Sequence, residues 1–175
     1  MGLLINESDP VAVRGPLATR YVQQFLRNVA WGDVDFLILD LPPGTGDIQL
    51  TIVQTAELDG VVVVTTPQEV ALIDARKAIG LFERVETPIL GIIENMSYFQ
   101  CPSDGKIYHI FGEGGGEREA AKLGVPLLGK IPLDISTRFG GDEGRPVALE
   151  DPGQNPVSAA FRQVAEQCAR VVLDR

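Results

Sequence analysis

The chain has little cysteine and no surplus of positive charge. Two cysteines in 175 residues do not build the disulfide framework of a small secreted protein, so reduced thiols in the cytoplasm are the simpler interpretation. Lys and Arg number 15 against 24 Asp and Glu, which gives a formal net charge of −9. Nucleic-acid and anionic-membrane surfaces need clustered Lys and Arg, so we expect neither a nucleic acid nor a membrane as partner.

Long apolar runs are also missing. The longest have the length of a strand, and the sequence shows neither a signal peptide nor a membrane-spanning stretch. With 45% hydrophobic and 22% charged residues, the composition is typical of a soluble globular protein. The length predicts one domain over residues 1–175.

The phosphate-binding loop Gly-x-x-x-x-Gly-Lys-Ser/Thr is absent as well. Lys106 and Lys130 each follow a glycine, but the next residue is Ile in both places. The stretch Gly112–Glu117 is rich in glycine, yet Glu117 occupies the last position of a Gly-x-Gly-x-x-Gly pattern. We therefore predict a flexible turn before a helix there. Because the phosphate-binding loop is absent, we expect little or no ATP hydrolysis from the 175-residue chain alone.

Apolar runs and amphipathic stretches alternate along the chain. The pattern predicts strands near 35–40, 60–66, 89–94 and 127–131, and helices near 16–29, 48–57, 68–84, 115–123 and 155–172. Such alternation indicates an α/β fold, with a mostly parallel sheet flanked by helices. The last helix carries an apolar stripe at helical spacing, formed by Val157, Phe161, Val164, Cys168 and Val171. Free cysteine is usually buried, so Cys168 is predicted to lie in the core.

Residues 33–47 are the most informative stretch. The run from Phe36 to Asp40 predicts a strand buried on both faces, with the Asp40 carboxylate at its carboxyl end, where open α/β sheets bind ligands. Such a carboxylate can hold Mg²⁺ or cap the strand end. Asp47 can orient water or cap the next helix. The loop candidates for sensing a terminal phosphate are Gly44, Thr45 and Gly46.

Two further predicted strand ends carry polar residues. Asn95 offers an amide donor and acceptor that suit an adenine edge, although it is equally suited to a plain turn. Thr65–Glu69 is typical of a helix N-terminus, with an early acidic residue favoured by the helix dipole.

These motifs, taken in order, resemble the Mrp family of ATP-binding iron–sulfur carrier proteins, relatives of the MinD and ParA ATPases. The resemblance covers nearly all 175 residues. Its motifs are Val13–Pro16, Asp40–Asp47, Thr65–Glu69, Glu94–Phe99, Ile110–Gly116, Gly129–Asp134 and Gly140–Pro146. The resemblance implies a P-loop NTPase fold of the MinD type, here incomplete at the N-terminus because the family's P-loop precedes the matching segment.

The resemblance also implies ligands and partners. The intact parent would bind ATP and Mg²⁺ between two subunits of a homodimer and pass a labile cluster to apo iron–sulfur proteins. It places Pro67 and Gln68 beside the nucleotide, with Asn95 at the base and Pro132 and Asp134 as another wall of the base pocket. Asp40 would be the catalytic carboxylate linked to Mg²⁺.

Residues 95–116 resemble the family's metal-site loop, with one departure. The family has Cys-x-x-Cys, so that two subunits hold a bridging cluster such as 4Fe–4S, whereas this chain reads Cys101-Pro102-Ser103-Asp104. The metal candidates are therefore Cys101 and Asp104, with His109 nearby. The alternative is a β-turn, for which residues 102–105 are well suited.

The leading functional prediction is an ATP-binding iron–sulfur cluster carrier, inactive as this segment alone. An alternative of another class is a catalytically dead interaction or dimerisation module. A MinD-like or ParA-like positioning ATPase is disfavoured. The last residues mix both charges instead of forming a basic membrane helix, and the net charge of −9 opposes a DNA surface.

Overall fold

The computed structural model describes residues 15–42, 44 and 46–174. The chain divides into two compact units, Met1–Glu57 and Leu58–Arg175. The first unit contains helices α1 (Gly15–Asn28) and α2 (Asp47–Thr55), which confirms both predicted helices. The two helices meet at Thr19 and Thr51, whose hydroxyl oxygens lie 3.5 Å apart.

The strand predicted at residues 35–40 does not form. Residues 36–40 are irregular, and Ile38 in the middle of the run has 87% of its surface exposed. A strand buried on both faces needs hydrogen-bonded neighbours, and this segment pairs with none of the strands in the described part of the chain. The prediction of a buried strand ending at Asp40 is therefore wrong, because an apolar run supplies no pairing partner of its own.

The second unit is built around a parallel sheet. Strand β1 (Val61–Thr65) and strand β5 (Leu127–Lys130) flank β2 (Ile89–Glu94), giving the order β1–β2–β5. Strands β3 (Phe99–Gln100) and β4 (Ile107–Tyr108) form a small antiparallel pair. The three predicted strands of this sheet are confirmed, while the short pair was not predicted.

Helices flank this sheet, as predicted. They are α3 (Glu69–Arg84), α4 (Gly115–Leu123) and α6 (Pro156–Leu173). A further helix, α5 (Ile135–Asp142), contacts a short 3-10 helix at Val147–Leu149. The predictions for α3, α4 and α6 are confirmed, and α5 was missed. Among the described residues, none of the helices has the length and apolar character that crossing a membrane requires.

The core of the second unit lies between the sheet and the helices α3 and α4. Ile92 on the central strand is fully buried, and it packs with Val63, Ala75, Ile79 and Ala120. An ion pair joins the two helices, in which the half-exposed Arg76 guanidinium donates to both oxygens of the buried Glu119 carboxylate at 2.6 and 2.9 Å. These contacts fix the start of α4 relative to the sheet.

Helix α6 begins with a side-chain cap. The Asn155 side-chain oxygen accepts hydrogen bonds from the N–H groups of Val157 and Ser158 at 2.8 and 3.3 Å, and Pro156 suits the first helical position. Of the predicted stripe, Val157 and Val164 are buried. Cys168 is only partly buried, so the prediction that places it in the core is too strong. Partial burial raises the pKa of its thiol.

Candidate functional site

A cleft opens where β2 and β5 end, at the edge of the sheet where α/β proteins bind ligands. Its volume is about 260 Å³. Three of the sequence-predicted site residues, Asn95, Pro132 and Asp134, lie together in its wall. The other lining residues are Met96, Ile131, Leu133, Thr137, Arg138 and Phe161.

Asn95 turns the chain as it leaves β2. Its backbone N–H donates to the Thr65 carbonyl at 2.7 Å, and its side-chain oxygen accepts from the Met96 N–H at 3.0 Å. Met96 adopts a left-handed conformation with φ of 52°. The two sequence interpretations of Asn95 are thus compatible, since it is a turn residue that also lines the cleft.

Asp134 is the N-cap of α5. One of its carboxylate oxygens accepts from the Ser136 N–H at 2.6 Å, the Thr137 N–H at 3.2 Å and the Ser136 hydroxyl. This cap fixes the wall that follows β5 and brings Thr137 and Arg138 to the cleft. Sequence analysis missed these two residues, although the string Asp-Ile-Ser-Thr was an available cap signal.

Glu94, the last residue of β2, was also missed. It is completely buried, and its two carboxylate oxygens accept from the Ser97 hydroxyl at 2.5 Å and the Gly116 N–H at 2.7 Å. A buried carboxylate is tolerated when both oxygens have donors. The sequence signal was an acidic residue closing an apolar strand.

Gly115 and Gly116 are buried as the first two residues of α4, so the predicted turn is limited to residues 112–114, where Gly112 and Glu113 are exposed. A Cβ atom at Gly115 would lie 2.5 Å from the Pro67 carbonyl oxygen, and one at Gly116 would lie 3.1 Å from the Glu94 Cβ. The absence of side chains therefore lets α4 start against the ends of β1 and β2.

Pro67 and Gln68 lie at the carboxyl end of β1. Pro67 is buried, and Gln68 occupies the N-cap position of α3 without a side-chain hydrogen bond. Glu69 in the first turn pairs with Arg76 at 2.7 Å. The predicted helix N-terminus is confirmed. Because Thr65 pairs with Glu94, this helix start and the Asn95 turn share one edge of the sheet.

Cys101 lies in a tight turn between β3 and β4. The Gly105 N–H donates to the Cys101 carbonyl at 2.8 Å, and the Cys101 sulfur lies 3.1 Å from the Ser103 hydroxyl oxygen. Hydrogen bonds from the Ser103 hydroxyl and then from the Ser103 backbone N–H lower the pKa of the thiol. The turn interpretation is confirmed, and the partly exposed thiol is biased towards the thiolate.

The other metal candidates have local partners. The Asp104 carboxylate accepts from the Lys106 N–H at 3.0 Å, which lowers the pKa of the carboxyl group. The His109 Nε2 lies 3.6 Å from a Glu113 carboxylate oxygen. In the parts of the chain that the structure describes, no group of three or more His, Cys, Asp or Glu side chains is placed to hold a metal ion.

The predicted phosphate-sensing loop belongs to the first unit. The buried Gln49 side chain of α2 donates to the carbonyls of Pro42 and Gly44 at 2.7 and 2.9 Å. Gly44 has φ of 98°, Gly46 is the N-cap residue of α2, and Asp40 is exposed. Thr45 lies outside the described residues, and the backbone of Asp47 begins α2. Sequence analysis missed Gln49.

Comparison with known proteins decides the family. The sequence model of ParA proteins described as NUBPL iron-transfer P-loop NTPases matches residues 1–169. The chain belongs to this family. The family assignment confirms the resemblance to Mrp proteins, and the α/β fold with its parallel sheet is that of the family.

Relatives of this NUBPL-type chain are longer proteins. It is 48% identical over 167 residues to the iron-sulfur cluster carrier protein of Pyrococcus furiosus, covering 95% of this chain and 56% of the relative. Identity to the iron-sulfur cluster carrier protein of Escherichia coli is 47% over 169 residues, covering 97% and 46%. The chain thus spans about half the length of these relatives.

Two solved structures share the fold of this NUBPL-type chain. The nucleotide-binding protein of Archaeoglobus fulgidus, in complex with ADP, has a TM-score of 0.67 and 43% identity, covering 74% of this chain and 53% of that one. The cell division ATPase MinD of Pyrococcus furiosus has a TM-score of 0.65 at 24% identity, covering 91% and 63%, and shows the fold alone.

Proposed function

We propose that this chain forms part of an ATP-binding carrier protein that holds an iron–sulfur cluster and passes it to apo-proteins in the cytoplasm. The observation that carries the proposal is the cleft beside Asn95, Pro132 and Asp134, at the sheet edge where this fold class binds its ligands. Two similarities support it. The relatives from Pyrococcus furiosus and Aquifex aeolicus, 48% and 45% identical, are named iron-sulfur cluster carrier proteins, and the Archaeoglobus fulgidus neighbour was solved with ADP.

The cleft suits the nucleotide base. The Asn95 amide lines it, and the side-chain oxygen of Asn95 is already oriented by the Met96 N–H. Pro132 offers an apolar surface, and Asp134 fixes the same wall, which follows β5, by capping α5. Pro67 and Gln68 follow the neighbouring strand and are proposed for the same ligand. The ATP and Mg²⁺ chemistry assigned to Asp40, Gly44, Thr45 and Gly46 rests on their motif and stays a prediction.

The turn at Cys101 suits the cluster cargo in part. Its thiol is partly exposed and biased towards the thiolate, which is the form that binds iron. One chain offers one thiolate there, so we propose that two copies form a homodimer that supplies a pair. Asp104 or His109 would complete the ligands, Asp104 through the carboxylate oxygen that does not accept from the Lys106 N–H. A set in which carboxylate or imidazole replaces two thiolates holds an iron–sulfur cluster less stably than four thiolates.

The nucleotide proposal is tested by titrating the purified chain into a fluorescent ADP analogue. Replacing Asn95 by Ala removes hydrogen bonds to the base, so we expect the Kd to rise about tenfold. Asn28→Ala is the matched control, because Asn28 is an exposed residue at the end of α1. No binding of the ADP analogue by the unsubstituted chain, or equal affinities for the two variants, would refute the proposed base site.

The cluster proposal is tested by anaerobic reconstitution with iron and sulfide, followed by visible absorbance. We expect the unsubstituted chain to show a charge-transfer band and the Cys101→Ser variant to lack it. Cys168→Ser is the matched control and should keep the band, since Cys168 lies in α6. If the band persists in Cys101→Ser, or is missing from the unsubstituted chain, the assignment of cluster binding to this turn is refuted.

A further inference from the structure

Glu94 holds both ends of the loop that carries Cys101. This loop, residues 95–116, leaves the sheet at Asn95 and returns to it at the start of α4. One Glu94 oxygen accepts from Ser97, three residues along the chain, and the other accepts from Gly116, twenty-two residues along the chain. A single fully buried carboxylate therefore closes the base of the loop.

The returning end is shaped for this contact. Gly116 is the second residue of α4, so its N–H is one of the helix's free donors, which favour a carboxylate. A Cβ atom at Gly116 would lie 3.2 Å from the Glu94 Oε2. Glycine there permits the 2.7 Å hydrogen bond without crowding.

The outgoing end lies against the wall of the cleft. The Ser97 N–H donates to the Ile131 carbonyl at 3.0 Å, and the Leu133 N–H donates to the Tyr98 carbonyl at 2.8 Å. Phe99 then pairs with Leu133 in parallel. Residues 95–99 thus border the proposed base site and lead directly into the turn that holds Cys101, so both sites share one hydrogen-bonded backbone.

We propose that Glu94 is a positioning residue that ties the Cys101 loop to the cleft, so that a nucleotide bound beside Asn95 changes the reactivity of the Cys101 thiol. The inference rests on the proposed function. It assigns Glu94 no contact with nucleotide or cluster, because its carboxylate is fully buried and both oxygens are occupied. Its effect passes through Ser97 and Gly116.

Two substitutions separate hydrogen bonding from bulk. Gln at position 94 keeps one acceptor for the Gly116 N–H and can donate to the Ser97 hydroxyl oxygen, so both contacts survive. Met has a similar length but no comparable acceptor, so both contacts are lost and a buried N–H is left unpaired. Glu94→Gln is therefore the conservative control for Glu94→Met.

The experiment measures labelling of Cys101 by a disulfide reagent, with and without saturating ADP, in the full chain carrying Cys168→Ala. We expect ADP to change the rate at least about threefold in this background and in Glu94→Gln. Glu94→Met should lose the response while its Kd for ADP stays within about twofold. If ADP binds but leaves the Cys101 rate unchanged, or if Glu94→Met keeps the response, the proposal is wrong.

Hydrogen exchange separates this inference from the proposed function. If the chain does not bind ADP, the proposed base site fails, and exchange decides the positioning role. We expect amides at 97–101 and 114–118 to exchange about tenfold faster in Glu94→Met, with Glu94→Gln and strand β1 unchanged. Equal amide exchange rates in Glu94→Met and Glu94→Gln, or faster exchange throughout the sheet, would overturn the positioning role of Glu94. If Glu94→Met does not fold, Ser97→Ala takes its place and should speed amide exchange at residues 97–101 alone. Unchanged exchange at these residues would overturn the positioning role.

Discussion

Gly91 is the position in the central strand where a single methyl group should be least tolerated. Its φ of 156° is rare for residues with a side chain. A Cβ atom there would lie 2.6 Å from the Leu128 Cγ and 2.7 Å from the Pro126 carbonyl oxygen. The pairing of β1 with β2 is irregular next to it, between Val61 and Val62, a usual place for glycine in a strand.

The cost of Gly91→Ala has two parts. Overpacking a close-packed site costs about 1–3 kcal/mol, and a non-glycine residue at an unfavourable φ adds about 1–3 kcal/mol. Leu128 is buried and the Pro126 oxygen is backbone, so neither neighbour moves aside easily. We expect the free energy of unfolding to fall by about 2–6 kcal/mol, a large share of the ~5–15 kcal/mol of a whole domain.

Denaturant unfolding followed by far-ultraviolet circular dichroism measures this loss. The single tryptophan, Trp31, lies in the first unit and not in the unit that contains the sheet, so circular dichroism is the more direct measurement. Gly80→Ala is the matched control, because Gly80 lies inside α3 with nothing within 4 Å of the added carbon. That change should stabilise by about 0.5–1 kcal/mol. Equal midpoints for the two variants would refute the packing argument.

Three further predictions concern ion pairing, capping and thiol chemistry. Hydrogen bonds from Arg76 and then from Lys122 lower the pKa of the Glu119 carboxyl group from 4.5 to about 2. The stabilisation from these bonds should be complete above pH 4.5 and lost as the pH falls towards 2. Glu119→Gln should therefore flatten the acid limb of stability against pH, and an unchanged limb would contradict this. Asn155→Ala removes the cap of α6 and should cost about 1 kcal/mol in urea unfolding, whereas a loss below the error of the measurement would exclude a capping role. Cys101 should react with a disulfide reagent at least about tenfold faster than Cys168 at neutral pH, and its rate should persist to lower pH. The reason is that the pKa of Cys101 is lowered and the pKa of Cys168 is raised. Equal rates for the two single-thiol variants would contradict this prediction.

The candidate site could be predicted from sequence wherever one residue type at one strand end was enough. Asn95 follows a predicted strand, whereas Pro132 and Asp134 were predicted through the family resemblance, and all three lie in the cleft. Parallel strands bring their carboxyl ends to one edge of a sheet, so residues that follow β2 and β5 meet there. The turn at Cys101 was predictable in the same way, from Pro102 and the residues after it.

Other features depended on partners distant in sequence. The apolar run at 36–40 looked like a buried strand, but local hydrophobicity cannot supply the neighbour that a strand must pair with. Glu94 looked like part of a motif, and only the return of the chain at Gly116 shows why a carboxylate is buried there. Gly115 and Gly116 looked like part of a flexible turn, and only the structure shows that they begin α4 in close contact with Pro67 and Glu94.

The sequence by itself determined the family, the alternation of strands and helices, and the residues at the strand ends, because each depends on composition, spacing or motif order along the chain. Tertiary structure alone decided which apolar segments are covered, which acidic residue is buried and how the Cys101 loop is held. Those outcomes depend on hydrogen bonds and close contacts between residues far apart in sequence, such as Glu94 with Gly116 and Arg76 with Glu119. Their energies arise only when the folded chain brings both partners together.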